Sequence, residues 1–166
     1  MTPIGAIIRG TAAGVAGTAA MDLVWFSRYR RGGGTSGFGA WETARGVTWE
    51  NAPAPAQVGR RVVEGFFQVQ LPDSAAPLAT NVVHWAYGAA WGAALGIVEG
   101  SLESPRAWHG LLFGPVVWTS GYVVLPLAGL YRPIWEYDAE TLWKDLSAHL
   151  AYGLTAAAAF RLLPRR

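Results

Sequence analysis

Four apolar stretches, each long enough to cross a hydrocarbon layer, constrain this chain more than any other feature of its sequence. They cover residues 4–26, 78–99, 107–131 and 139–163, and a membrane-spanning helix needs ~20 predominantly apolar residues. Charged residues make up 14% of the 166 residues, against about 25% in soluble domains. The sequence therefore predicts an all-α protein, an integral membrane four-helix bundle that forms a single domain over residues 1–166, with both termini on one side.

Residues 32–77 connect the first two predicted spans and are less apolar. A cluster of arginines at positions 28, 30 and 31, followed by three glycines, predicts the end of the first helix. Residues 32–55 are predicted to be an irregular loop. From Gln57 to Leu71, apolar and charged residues fall on opposite faces of a helix, which indicates an additional interfacial amphipathic helix on the membrane surface. A helix packed on a soluble partner is the alternative.

Small residues recur at four-residue spacing in the first two spans. Such stripes let helix backbones approach closely in lipid, where small side chains replace the usual packing of large ones. We therefore expect these positions to lie at helix–helix contacts. The glycines concerned are Gly10, Gly14, Gly88, Gly92 and Gly96.

One short segment occurs twice. His84-Trp85-Ala86-Tyr87-Gly88 in the second span is repeated as His149-Leu150-Ala151-Tyr152-Gly153 in the fourth. Arg9-Gly10 and Gly14 correspond more weakly to His109-Gly110 and Gly114. The pattern indicates two repeated helical hairpins related by an axis along the membrane normal. Chance similarity in alanine- and glycine-rich sequence is the alternative.

Several polar side chains lie one to two turns inside the spans, all towards the same leaflet. An ionisable group costs ~2.5–3.5 kcal/mol near the centre of a membrane helix, so such groups face a protein interior or water. We expect this cluster to converge inside the bundle, with helix capping and ordinary hydrogen bonding as the alternative. Its members are Asp22, which is expected to end the first helix, and Asn81, His84, Asp145 and His149.

The favoured function is a non-catalytic scaffold or accessory subunit that binds other membrane proteins, or a second copy, within the lipid bilayer. The first alternative is a small channel or transporter-like protein with a polar His/Asp cavity. The second is bis-histidine haem or metal binding at His84 and His149, two imidazoles at one depth on different helices; otherwise no cofactor is expected. An enzyme has no support, since catalytic and nucleotide-binding motifs are missing from the sequence. A net charge of +2 gives no reason to expect nucleic acid.

The second half of the chain carries a further pattern. Its residues are Trp108, Gly110, the string Pro126-Leu127-Ala128-Gly129-Leu130-Tyr131-Arg132-Pro133, Trp135-Glu136 and His149. Over residues 80–163 the chain thereby resembles the YagU-like family of uncharacterised bacterial inner-membrane proteins. The resemblance implies a helical, multi-pass protein of the inner membrane, and it implies no catalytic residues.

Overall fold

The structure, a computed structural model, describes residues 1–44 and 48–164. Residues 45–47, part of the predicted loop, and residues 165–166 therefore lie outside the described residues. In the described part of the chain the fold is all-helical, as predicted, and contains no strand. It comprises α1 (Pro3–Arg31), α2 (Phe38–Thr43), α3 (Ala54–Phe67), α4 (Ala76–Ser101), α5 (Gly110–Leu127) and α6 (Ala139–Leu162), with single 3-10 turns before α4, α5 and α6.

The first helix runs further than the sequence predicts. It begins at Pro3 behind the N-cap Thr2, whose hydroxyl accepts a hydrogen bond from Gly5 N at 3.1 Å. It continues through the arginine cluster because Arg28 donates to Lys144 O at 2.6 Å and to Ser147 Oγ at 2.7 Å on α6. The expectation that Asp22 ends this helix is therefore wrong, since nine more residues follow it in α1.

The predicted irregular loop contains a helix. α2 covers residues 38–43, and its Phe38 and Trp41 rings pack on Phe26 of α1 at centroid distances of 5.3 and 5.4 Å. Such a short helix depends on tertiary packing, so the spacing of apolar residues along the sequence cannot predict it. The amphipathic helix is present as α3, but it begins at Ala54 and ends at Phe67, where Gln68 adopts a left-handed φ of 54°.

The last two long helices follow their predicted positions closely. α5 stays helical through Pro115 and ends at Leu127, four residues before the predicted limit, because Gly129 turns the chain at a φ of +66°. α6 begins behind Asp138, whose carboxylate accepts from Thr141 N at 2.8 Å as an N-cap.

Glycines lie where the long helices approach each other. α1 runs antiparallel to α4 along a seam in which Gly92 faces Gly10 and Gly14, while Gly88 and Gly96 extend the seam at either end. A Cβ at Gly92 would lie 2.6 Å from Gly14 N. This backbone-to-backbone packing is the arrangement that the four-residue spacing predicts.

A second glycine seam joins α5 to α6. Gly110 and Gly114 lie against Gly153 and the neighbouring backbone of α6, again antiparallel. α1 also packs along α6, whereas α4 and α5 are separated by a cleft. The four long helices are therefore ordered α4, α1, α6, α5.

The two hairpins differ in register by one helical turn. Gly14 faces Gly88 O, which lies four residues beyond His84, whereas Gly114 faces the carbonyl of His149 itself. A two-fold relation would also require α4 and α5 to pack as α1 and α6 do, and the cleft separates them. The duplication stays a prediction.

Among the described helices, two are long and apolar enough to cross a membrane by length and composition. They are Pro3–Arg31 and the segment Ala107–Leu127, which joins a 3-10 turn to α5. α4 contains the polar residues Asn81, His84 and Glu99, and α6 carries Lys144 and Asp145. These residues lower the mean hydropathy of the other two predicted spans.

Candidate functional site

The cleft between α4 and α5 encloses a cavity of about 510 Å³. Residues of α1 and α6 also line it, and Pro53, Pro55 and Val58 border it from the start of α3. Most of the surface is aromatic or aliphatic. The larger side chains of this kind are Met21, Trp25, Trp91, Val117, Trp118 and Leu125.

Two side-chain contacts between α4 and α5 bound this cavity, one a hydrogen bond and one aromatic. The hydroxyl groups of Tyr87 and Ser120 lie 3.0 Å apart across the cleft. Further along α4, the Trp91 ring meets Phe113 edge-on at a centroid distance of 6.2 Å. These two contacts limit the cavity on the side where α4 faces α5. The Trp91–Phe113 contact is the one nearer to the end of α4 that carries Glu99.

His84 lines the cavity and is anchored by a carboxylate on the next helix. Its Nε2 lies 2.9 Å from Asp22 Oδ1 and 3.2 Å from Oδ2, and Asp22 is fully buried. An ionised carboxylate only accepts hydrogen bonds, so Nε2 carries a proton. In a neutral imidazole the other nitrogen, Nδ1, is then an acceptor.

His149 lines the same cavity from α6 and is anchored through its other nitrogen. Nδ1 lies 3.0 Å from the carbonyl oxygen of Asp145 and 3.3 Å from its Oδ1. Both partners are acceptors, so Nδ1 carries the proton and Nε2 is left as an acceptor. The side chain of Asp145 is 24% exposed and also lines the cavity.

The structure thus brings together four of the five polar residues singled out in the sequence: Asp22, His84, Asp145 and His149. Asn81 is not among them. Its amide donates to Pro77 O at 3.0 Å within α4 and to Glu42 O at 3.3 Å on α2. Asn81 lies one turn before His84 and serves to join α2 to α4.

Tyrosines that the sequence analysis left aside complete the polar part of the cavity. Tyr122 and Tyr131 lie beside Asp145. Tyr152 is buried and donates from its hydroxyl to Gly88 O at 2.6 Å, which ties α6 to α4 beneath the cavity. The repeated His-x-Ala-Tyr-Gly segment contains Tyr152, so the signal was present in the sequence although no role followed from it.

A second polar group lies at the opposite end of the long helices, and sequence reasoning missed it. Glu99, 2% exposed, accepts from or shares a proton with His109 Nδ1 at 2.5 Å. Nearby, buried Arg9 donates to Arg161 O at 3.2 Å and lies 4.5 Å from the centre of the Phe160 ring. A glutamate in the last turn of an apolar helix, ten residues before a histidine, was the available signal.

The part of the chain that the structure describes contains no group of three or more His, Cys, Asp or Glu side chains placed to hold a metal ion. Haem or metal binding at His84 and His149 stays a prediction that a visible absorption spectrum tests. What the cavity offers is two carboxylate-anchored imidazoles and one carboxylate in aromatic surroundings.

Comparison of the chain with family models, with curated proteins and with solved structures finds no match. The resemblance of residues 80–163 to the YagU-like family therefore stays a prediction.

Proposed function

We propose that the chain is a four-span integral membrane protein that binds a small molecule in the cavity between α4 and α5. The observation that carries this proposal is the convergence of His84, His149 and Asp145 on one cavity of about 510 Å³. Small-molecule sites enclose roughly 300–1,000 Å³ and combine apolar walls with a few converging polar groups. Binding of this kind would suit a transporter-like protein or a receptor subunit, and neither requires catalysis.

The distribution of large and small side chains supports a membrane environment. The interior is built from small residues, with Ala13, Ala148 and Ala156 fully buried. Large aliphatic side chains instead cover the outside of all four long helices. They include Ile4, Ile8 and Leu23 on α1, Val82, Ile97 and Val98 on α4, Leu112, Val116 and Val123 on α5, and Leu154 and Leu162 on α6. Lipid tails solvate such a surface, whereas contiguous apolar patches of this extent are rare on soluble monomers. By its resemblance to the YagU-like family, that membrane is the bacterial inner membrane.

The four-span arrangement can be tested by labelling single cysteines, because the chain has none of its own. Suitable exposed sites are Thr35→Cys and Trp135→Cys in two of the connections and Ser101→Cys at the last residue of α4. In intact cells, an impermeant maleimide should label either Ser101→Cys alone or Thr35→Cys and Trp135→Cys together, and the remaining sites should be labelled only after permeabilisation. Labelling of Ser101→Cys from the same side as either of the other two would overturn the arrangement.

Ligand binding can be tested by filling the cavity. Gly121 lines it, and a Cβ at this position meets no atom within 4 Å, so the larger side chain of Gly121→Leu is expected to occupy part of the cavity. Gly65→Leu on α3 is the matched control, since its Cβ also meets open space and it lies outside this cavity. Native mass spectrometry of protein extracted from its host membrane should detect a bound small molecule in the parent and in Gly65→Leu, and lose it in Gly121→Leu. A parent without any bound species, or equal binding in all three proteins, would contradict the proposal.

A second candidate, the scaffold or accessory subunit favoured by the sequence, is supported by the exposed apolar face of α3. Phe66 is 83% exposed and Phe67 is 72% exposed. A photo-crosslinking residue at position 66 would show whether α3 contacts a partner protein or only lipid. Crosslinks to one defined membrane protein support the scaffold, and crosslinks to lipid alone leave α3 as an interfacial helix.

A further inference from the structure

We infer that the cavity selects an amphipathic amine in its protonated form, an ammonium group attached to an apolar body. This inference rests on the proposed binding function and names the ligand class of the same cavity. It follows from which hydrogen-bonding atoms the cavity leaves available, how they are charged, and what surrounds them.

The available atoms are predominantly acceptors. His84 uses Nε2 on Asp22 and His149 uses Nδ1 on the oxygens of Asp145, which leaves the second nitrogen of each ring for a ligand, and in a neutral imidazole that nitrogen is an acceptor. Asp145 adds carboxylate oxygens from the cavity wall. An ammonium group with N–H bonds has up to three donors and no acceptor, which complements these three acceptors.

The charge of the lining also favours a cationic ligand. Asp145 contributes a carboxylate, whereas neither lysine nor arginine lines the cavity in the described part of the chain. An anionic head group would meet that carboxylate with no cationic lysine or arginine in the described lining to balance it, so it is disfavoured. A neutral alcohol can donate one hydrogen bond but gains no charge assistance, and charge-assisted hydrogen bonds are roughly twice as strong as neutral ones.

The walls suit both parts of such a ligand. Trp25, Trp91 and Trp118 provide apolar surface for the body of the ligand, and indole faces attract cations within about 6 Å of the ring.

The test uses three probes that share one apolar cage and differ only in head group: adamantylamine, adamantanol and adamantane carboxylate. Each is titrated at about pH 8 against the purified full-length protein in phosphatidylcholine nanodiscs, with tryptophan fluorescence as the signal. The parent should bind the amine about tenfold more tightly than the alcohol, the difference that one charge-assisted hydrogen bond supplies, and the carboxylate most weakly.

Two variants assign the preference to the cavity. Asp145→Asn should reduce the affinities for amine and alcohol to within about twofold of each other, whereas Glu140→Gln, an exposed carboxylate on the same helix whose partner is Lys144, should keep the tenfold preference. The order of the three probes on the parent protein needs no variant, so a poorly folded Asp145→Asn leaves the inference testable.

The outcomes separate the inference from the function on which it rests. If the parent binds amine and alcohol equally and Gly121→Leu abolishes both, the ammonium preference is wrong while ligand binding in the cavity stands. If the amine preference persists in both Asp145→Asn and Gly121→Leu, the signal arises outside the cavity and the inference is overturned. If no probe binds the parent and native mass spectrometry finds no bound species, both proposals fall.

Discussion

Adding one methyl group to the α1–α4 seam should destabilise the protein, whereas adding it to the cavity wall should not. A Cβ built at Gly92 lies 2.6 Å from Gly14 N and closer still to Gly10 O and Gly14 Cα, whereas ordinary van der Waals contact begins at 3.4 Å, so the two helices must move apart. The obstructing atoms belong to the backbone and cannot rotate away. Overpacking of this kind costs about 1–3 kcal/mol. Because Gly10 and Gly14 both face this position, we expect Gly92→Ala to fall in the upper half of that range.

Gly121→Ala is the matched control for this substitution. It makes the same chemical change in a long helix, but no atom lies within 4 Å of the added carbon. Replacing an unhindered helical glycine by alanine stabilises a helix by up to about 1 kcal/mol, so the two variants should shift stability in opposite directions.

Thermal unfolding of both variants in the same detergent, followed by intrinsic tryptophan fluorescence, measures these shifts. Gly92→Ala should melt several degrees below the parent, and Gly121→Ala at or above it. If Gly92→Ala melts with the parent, α1 and α4 do not meet at this seam, and the packing described here is refuted. If both variants lose stability equally, the effect reflects the loss of glycine itself and not the approach of two backbones.

Three further predictions follow from single contacts. Tyr152→Phe removes a buried hydrogen bond of 2.6 Å to the carbonyl of Gly88 and should lower the free energy of unfolding by about 0.5–1.5 kcal/mol, measured by the same melting assay. Asp138→Ala removes the N-cap of α6 and should lower the melting temperature. The backbone N–H of Thr141, which donates to Asp138, holds the pKa of that carboxyl below its ordinary value of 3.8. The parent should therefore keep the stability from this cap above pH 3.8 and lose it as the pH falls through the lower pKa of the folded state. His109→Leu should cost more stability than Glu99→Gln, because the first leaves a carboxylate buried without its imidazole partner, and equal melting of these two variants would argue against the ion pair.

Local signals in the sequence were sufficient for several elements. Asp138 precedes an apolar run and is followed by an acidic first turn, and both features act within one turn of helix, so the start of α6 could be predicted to the residue. The spacing of Gly88 and Gly92 likewise depends only on helix geometry. An α-helix fixes which residues share a face, whatever lies opposite that face.

Other features depend on contacts between distant segments. α2 exists because Phe38 and Trp41 find Phe26, and α1 continues to Arg31 because Arg28 reaches α6. The pairing of Glu99 with His109 crosses a turn that periodicity does not describe. Each of these contacts compensates a local cost, and the compensating partner is not adjacent in sequence.

The polar cavity depends partly on the sequence alone and partly on the tertiary structure. The sequence by itself determined that His149 and Asp145 share a helix face, and that costly ionisable groups inside apolar helices should turn inwards. Only the tertiary structure decided that Asp22 takes Nε2 of His84, that Asn81 is used elsewhere, and that α4 and α5 stay apart. The reason is physical, because helical periodicity specifies only the direction in which a side chain leaves its own helix. The register and separation of two helices are set by the side chains of both. Here the glycine seams hold α1 against α4 and α5 against α6, and the cavity remains between the outer helices α4 and α5.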